Sequence, residues 1–316
     1  MTRAALTDYD HGISAVDTEY IRPRLDASHL IVEAGRAAFV DTGTNDSVPK
    51  LLDALHQKDL DVDAVDYVFL THIHLDHAGG AGQLMRKLPN ARCVIHPRGA
   101  SHMAEPSKLI AGTQAVYGEA LAREMYGDIL PVDADRILEP DDGESYELAG
   151  RTLTAWYTEG HARHHYVLHD PKAAAVFTGD SFGLSYRDLD TEAGAFIFPT
   201  TTPTHFDPEQ AHLSVDRIMG LEPERLYLTH YSEVTELDRL AADMHSDLDA
   251  FVDIARNAIP ANERVSVLRE GLFGHLADRI RAHGFAGDTE AIRNIIWMDT
   301  ELNAQGLDIW LKRQGH

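Results

Sequence analysis

From residue 71 the chain reads Thr71-His72-Ile73-His74-Leu75-Asp76-His77-Ala78-Gly79-Gly80. Three imidazoles and one carboxylate within six residues are hard to place in a purely structural role. Protonated histidines repel one another, and buried ring nitrogens each need a partner. A bound divalent cation answers both demands. In extended chain His72 and His74 point to one side, so both can grip one ion. At the turn that follows, the chain can aim Asp76 and His77 at a neighbouring ion. An incidental, solvated cluster is the weaker reading for four donors at a strand end.

Positioning these donors needs a rigid strand before them and a helix after them. Tyr67 to Thr71 is a strand candidate, and Gln83 to Lys87 is helical. The apolar run Val68-Phe69-Leu70 suits a strand covered on both faces. Similar runs lie at 28–33, 37–41, 92–96, 152–157, 166–169, 174–178 and 226–229, separated by helical or glycine-containing segments. A clear helix start is Asp207-Pro208-Glu209-Gln210, with a capping Asp, Pro at the first helical position and Gln where a capping box places it. Beyond about residue 235 the pattern becomes helical, over 236–257, 263–283 and 289–312. We therefore expect two parts, residues 1–235 and an all-helical extension, 236–316.

Composition narrows the function. The 316 residues carry 28 Lys and Arg against 51 Asp and Glu, a formal net charge of -23. Such acidity argues against nucleic acid and against an anionic membrane as partners. The single cysteine, Cys93, excludes an intramolecular disulfide and a Cys-based zinc finger. Histidine is in surplus, at 19, so a metal in this chain is held by imidazole and carboxylate. No secretory pattern follows Arg3 and no run approaches a membrane span, so a cytoplasmic location is expected.

The cluster resembles the HxHxDH signature of the metallo-β-lactamase superfamily. Three further strand ends fit that resemblance in order: Gly160-His161, Gly179-Asp180 and Thr229-His230, with an Asp41-Thr42-Gly43 turn upstream. The resemblance implies an αββα four-layer sandwich in the α/β class, with a helical C-terminal extension in this chain. It further implies that His72, His74 and His161 hold one metal, Asp76, His77 and His230 a second, and that Asp180 bridges them. Zn is the first expectation for the two divalent ions, with Fe or Mn as alternatives, since imidazole and carboxylate accept each. Two such ions would activate a bridging water and polarise a carbonyl or phosphoryl oxygen. Asp76 is the catalytic candidate, as proton relay, and Asp41 and Thr71 are candidates to orient the ligands.

Among the branches, RNA-processing members fit the charge poorly. Flavodiiron proteins usually carry Glu at the place of His74. Exported β-lactamases need a leader. Glyoxalase II-type thioesterases share all seven ligands; lactone hydrolases add a Tyr soon after the bridging Asp, where this chain has Tyr186 six residues on. By residues 72–82, Gly160-His161-Ala162-Arg163-His164-His165 and Leu302-Asn303-Ala304-Gln305-Gly306-Leu307, the chain is most similar to the ST1585-like group. The leading expectation is a hydrolase of a small ester, thioester or lactone. The alternatives are a di-iron protein binding oxygen or NO, and a metabolite-sensing effector with incidental turnover. A homodimer is a further expectation.

Other features have two readings each. His165 contacts the ligands or substrate, or is an ordinary hydrogen-bonded residue. The loop 182–205, rich in Phe, Tyr, Thr and Pro, covers the pocket or packs on the helical tail. Gly79-Gly80-Ala81-Gly82 lacks the ending of a phosphate loop and reads as a tight helix entry. Phe251, Phe273, Trp297 and Trp310 read as core or dimer contacts, and Cys93 as an inert buried residue.

Overall fold

The structure, a computed structural model, describes residues 3–316. It divides into two compact units whose segments interleave along the chain: Met1–Tyr157, His164–Gly179 and Thr229–Ser232 in the first, Thr158–Arg163, Asp180–Leu228 and Glu233–His316 in the second.

In the first unit, β1 (Leu6–Asp8), β2 (Ile13–Asp17), β3 (Ala27–Glu33), β4 (Arg36–Val40), β5 (Val65–Leu70), β6 (Arg92–Ile95) and β7 (Ile137–Leu138) form a seven-stranded sheet in sequence order. The first four strands pair antiparallel. From β4 to β7 the pairing is parallel. The crossovers carry α1 (Val48–Gln57), α2 (Leu75–Ala78), α3 (Ala81–Met85), α4 (Pro97–Ala104), α5 (Ser107–Tyr117) and α6 (Glu119–Tyr126). A second, antiparallel run follows: β8 (Glu144–Leu148), β9 (Arg151–Tyr157), β10 (Tyr166–Asp170) and β11 (Ala175–Gly179).

The apolar run of β5 has a physical reason. Val68 and Leu70 join a core with Leu51, Ala54 and Leu55 of α1 and Leu84 of α3. Tyr67 and Phe69 point the other way and meet Tyr146 of β8 edge-on, each at 5.6 Å between ring centres. The strand is thus covered on both faces, by helices and by the second run of strands. Tyr166 of β10 donates its hydroxyl to the Val94 carbonyl of β6 at 3.0 Å, a further tie between the two strand layers. Cys93 is buried in β6, and burial pushes its thiol far above the ordinary range, so it is unreactive.

The second unit holds α7 (Pro208–Met219), β12 (Arg225–Leu228), α8 (Leu237–Asn257), α9 (Arg264–Ala282) and α10 (Thr289–Arg313). Asp207 caps α7, accepting from the Gln210 amide at 3.2 Å with Pro208 in the first turn. Phe251, Phe273 and Trp310 are buried among the tail helices, whereas Trp297 is 58% exposed. No helix of the described residues is long and apolar enough to cross a membrane.

The loop 182–205 packs on the tail. Leu184 and Phe198 pair as an antiparallel bridge, and Phe182, Tyr186, Phe196 and Phe198 are buried. Tyr186 bonds Asp299 of α10 at 2.9 Å, which commits its hydroxyl to the tail. Asn303 of α10 accepts from the Thr201 amide at 2.6 Å and donates to the Pro199 carbonyl at 3.2 Å. One turn on, a Cβ at Gly306 would lie 1.5 Å from the Thr201 carbonyl oxygen, so only glycine admits the loop this close. Replacing Asn303 by Ala strands two buried backbone groups, each costing about 1–3 kcal/mol. Chemical denaturation of Asn303→Ala is expected to show a loss of about 2–4 kcal/mol; a loss below ~0.5 kcal/mol would show the loop to be held by other contacts.

Candidate metal centre

β5 ends at Leu70 in the middle of the parallel part of its sheet, where the carboxyl ends of such strands place ligand-binding residues. Thr71 and His72 follow at once. His74 caps the short helix α2, which carries Asp76 and His77 on its single turn. Thr42, after β4, holds that turn from below: its amide and hydroxyl both donate to the His77 carbonyl, at 2.7 and 3.0 Å. Gly80 donates its amide to the Gly43 carbonyl at 2.8 Å, and a Cβ there would come within 2.6 Å of the Thr44 carbonyl. A Cβ at Gly82 would lie 2.0 Å from the Leu130 carbonyl oxygen. These glycines let the helix sit directly against its neighbours.

The Asp41 carboxylate organises the donors. It accepts from the Thr71 amide (2.8 Å), the Thr71 hydroxyl (2.8 and 3.0 Å), the Thr229 hydroxyl (2.9 Å) and His77 Nδ1 (2.8 Å). Since the carboxylate only accepts, His77 carries its proton on Nδ1 and presents the lone pair of Nε2. His230 is set in the same way, with Nδ1 donating to the Leu25 carbonyl at 2.8 Å. Both Nε2 atoms face Asp76 Oδ2, at 3.8 Å from His77 and 3.5 Å from His230. Ligand atoms of Asp76, His77 and His230 all lie within 4.8 Å of one another, as one ion requires. Two imidazole lone pairs and a carboxylate converging with their outer nitrogens fixed is the donor set of a divalent transition metal.

His72 and His74 form a second pair. Thr71 gives its hydroxyl hydrogen to Asp41, so its oxygen accepts from His72 Nδ1 at 3.2 Å. His72 Nε2 then faces His74 Nδ1 at 3.0 Å. The buried His165 ring lies against His72, centres 4.8 Å apart. Gly179 leaves it room, since a Cβ there would meet His165 Nε2 at 2.7 Å and the Thr71 hydroxyl at 2.6 Å. His165 thus touches a candidate ligand through its ring.

In the second unit, His161 and Asp180 come together: His161 Nε2 is 3.4 Å from Asp180 Oδ2. His161 Nδ1 donates to the Thr200 carbonyl at 3.4 Å, which again leaves Nε2 to face the carboxylate. Gly160 gives the loop its close seat on α7. A Cβ there would lie 2.5 Å from Ala211, and its carbonyl accepts from the Asp207 amide at 2.8 Å.

Sequence reasoning passed over Asp26. It is fully buried at the head of β3, and neither carboxyl oxygen has a hydrogen-bond partner. Burial pushes its pKa up to about 7, opposed by the nearby imidazoles of His230 and His77. A lone acid between Leu25 and Ala27, ahead of an apolar strand, was the signal available. Beside the metal turn lies a cavity of about 280 Å³, lined by Leu75 and by Ile110, Gln114, Ala122, Arg123 and Tyr126 of α5 and α6.

The sequence matches the model of the metallo-beta-lactamase superfamily over residues 22–230. It is similar to the metallo-beta-lactamase fold-containing protein ST1585 of Sulfurisphaera tokodaii, at 26% identity over 70% of this chain and 77% of that protein. The solved ST1585 structure superposes with a TM-score of 0.64 at 21% identity, covering 95% of this chain and 99% of the other. This likeness shows the fold, the αββα sandwich with helices α8–α10 at its C-terminus. A hydroxyacylglutathione hydrolase of Tolumonas auensis is 27% identical over 48% of this chain and 45% of its own length. A peroxy diiron species of the chemotaxis sensor ODP has a TM-score of 0.54 at 15% identity, over 77% of this chain and 94% of the other.

Two measurements test the site. Asp41→Asn removes acceptor capacity from His77 and is expected to weaken metal retention about 10- to 100-fold, read by chelator competition. Unchanged retention would show that Asp41 does not orient His77 for a metal. Asp26 predicts a pH dependence in chelator-treated protein. Its folded pKa lies above the unfolded value of about 3.9, so ionisation favours the unfolded chain as pH rises through that window. Urea denaturation of Asp26→Asn against the parent should show a stability difference that grows from pH 4 to 7, by a few kcal/mol, and levels off above. A difference independent of pH would show Asp26 to be ionised in the fold.

Proposed function

Because the chain belongs to the metallo-β-lactamase superfamily, we propose that it is a dinuclear metal hydrolase acting on a small ester, thioester or lactone. In this reading His72, His74 and His161 hold one ion and Asp76, His77 and His230 the other, with Asp180 shared. When bound, two divalent ions supply Lewis acidity toward a substrate carbonyl and lower the pKa of water. The observation that carries the reading is the convergence of His77 and His230 Nε2 on Asp76, with both Nδ1 atoms committed elsewhere.

The residues divide the work. Asp41 and the Leu25 carbonyl hold the Nδ1 protons of His77 and His230. Asp76 turns Oδ2 toward those imidazoles, and its carboxylate is the group placed to take up and pass on the proton that the leaving group needs. The cavity flanking Leu75, where Ile110 and Ala122 sit with Gln114, Arg123 and Tyr126, is the candidate seat for the acyl part of the substrate. Thioester cleavage fits the likeness to a protein named hydroxyacylglutathione hydrolase. Zinc is the metal we favour, with iron or manganese fitting the same donors.

Elemental analysis with an ester, thioester and lactone panel tests this. Two ions per chain are expected at these seven residues, and hydrolysis that is lost in His72→Ala and in Asp180→Ala. Less than about one ion per chain, or activity surviving both substitutions, would overturn it. A di-iron protein is the second reading, favoured by the fold shared with the diiron sensor. It requires an oxygen-dependent optical band after anaerobic purification; a colourless zinc protein excludes it.

A further inference from the structure

Two histidines that the centre does not use meet on the surface of the second unit. His212 of α7 and His245 of α8 stack with rings 3° from parallel and centres 5.0 Å apart. Their Nδ1 atoms are 2.6 Å apart. Each outer nitrogen faces a carboxylate one turn along the opposite helix: His212 Nε2 to Asp249 at 3.3 Å, His245 Nε2 to Asp216 at 3.2 Å. The pattern is His-x-x-x-Asp on α7 crossed with His-x-x-x-Asp on α8.

Proton accounting shows what this arrangement needs. The arrangement that serves both carboxylates has hydrogen on both Nε2 atoms, since a carboxylate only accepts. Each neutral imidazole then turns a lone pair inward at Nδ1. At 2.6 Å those lone pairs are then held together by a shared proton or a metal ion, whereas hydrogen on one Nδ1 makes the contact an N–H···N bond between neutral rings. The outer carboxylates are the partners that metal-bound histidines characteristically keep on their second nitrogen. They also bring two negative charges to the pair. Tetrahedral zinc, with Zn–N bonds of ~2.0–2.1 Å, sets its nitrogens about 3.3 Å apart. The pair has room to open that far, since the side chains are 28% and 32% exposed.

The geometry points to a third metal site: His212 and His245 clip one divalent transition ion between α7 and α8, with water completing its coordination. Imidazole donors select Zn²⁺, Ni²⁺ or Cu²⁺ over Mg²⁺ or Ca²⁺. The clip bears on the proposed catalytic centre through its neighbour. Ala211, next to His212, is the residue Gly160 sits against. Ser214 of α7 donates to the Glu159 carbonyl at 2.5 Å. An ion in the clip therefore pins α7 and steadies the loop that carries His161, a consequence that rests on His161 being a ligand.

Equilibrium dialysis of the intact protein against Zn²⁺ and Ni²⁺, with elemental analysis, tests the site. The double variant His212→Ala/His245→Ala is expected to bind one ion per chain fewer than the parent and to keep its hydrolytic centre. His72→Ala is expected to keep the clip's ion, and to lose it when the double substitution is added. Cu²⁺ loaded into His72→Ala should give a nitrogen-coupled paramagnetic signal that vanishes with the clip histidines. Equal stoichiometry in parent and double variant would leave the pair sharing a proton and overturn the proposal. Loss of the hydrolytic centre instead reads on His72 and Asp180, so the two proposals fail separately.

Discussion

The centre depends on the carboxylate of Asp41. It is buried, and it satisfies its charge with Thr71, Thr229 and His77 rather than with a cation. Thr71 and His77 open and close the segment after β5, and Thr229 lies far along the chain. One ends a central strand, one precedes His230 and one lies on the metal turn. A buried carboxylate left without donors is costly, so folding brings these stretches to one point. The same bonds fix which nitrogen of His77 carries hydrogen. Folding and ligand preparation are thus one event.

Preparation recurs at the other donors by different means. Leu25 sets His230 and the Thr200 carbonyl sets His161. In each case the acceptor is a backbone carbonyl, which holds its position as long as its own segment does. The site is therefore as rigid as the loops that supply these carbonyls. Asp26 stands apart, as an acid that neither binds a donor nor reaches water. Its cost is local and is borne next to Leu25, the segment that orients His230.

The candidate donors stood out in the sequence because their chemistry is rare and their order fixed. Strand ends at residues 70, 157, 179 and 228 were visible from apolar runs and the residues that close them. The tail helices were visible from their periodicity, and the α7 start from Asp207. Other parts were hidden for physical reasons. β1 is three residues long, and β8 reads Glu-Ser-Tyr-Glu-Leu, with buried positions alternating beneath a polar exterior. The helices over 97–126 have no long apolar stripe. Asn303 and Gly306 are ordinary helix residues in one dimension, and only the arrival of Thr201 gives them meaning. The crossed pair on α7 and α8 needed two helices at a defined register, which no single-chain pattern displays.

Thr200 and Thr201 are consecutive, yet one holds His161 and the other is held by Asn303. A single peptide unit thus links a candidate metal ligand to the last helix of the chain. The tail is for that reason a poor target for truncation or for exchange between relatives. A shortened version would keep every donor in its sequence and still lose the orientation of one of them. A transplant of the donors onto another scaffold would need this helix, or a substitute for its grip on the loop, to travel with them.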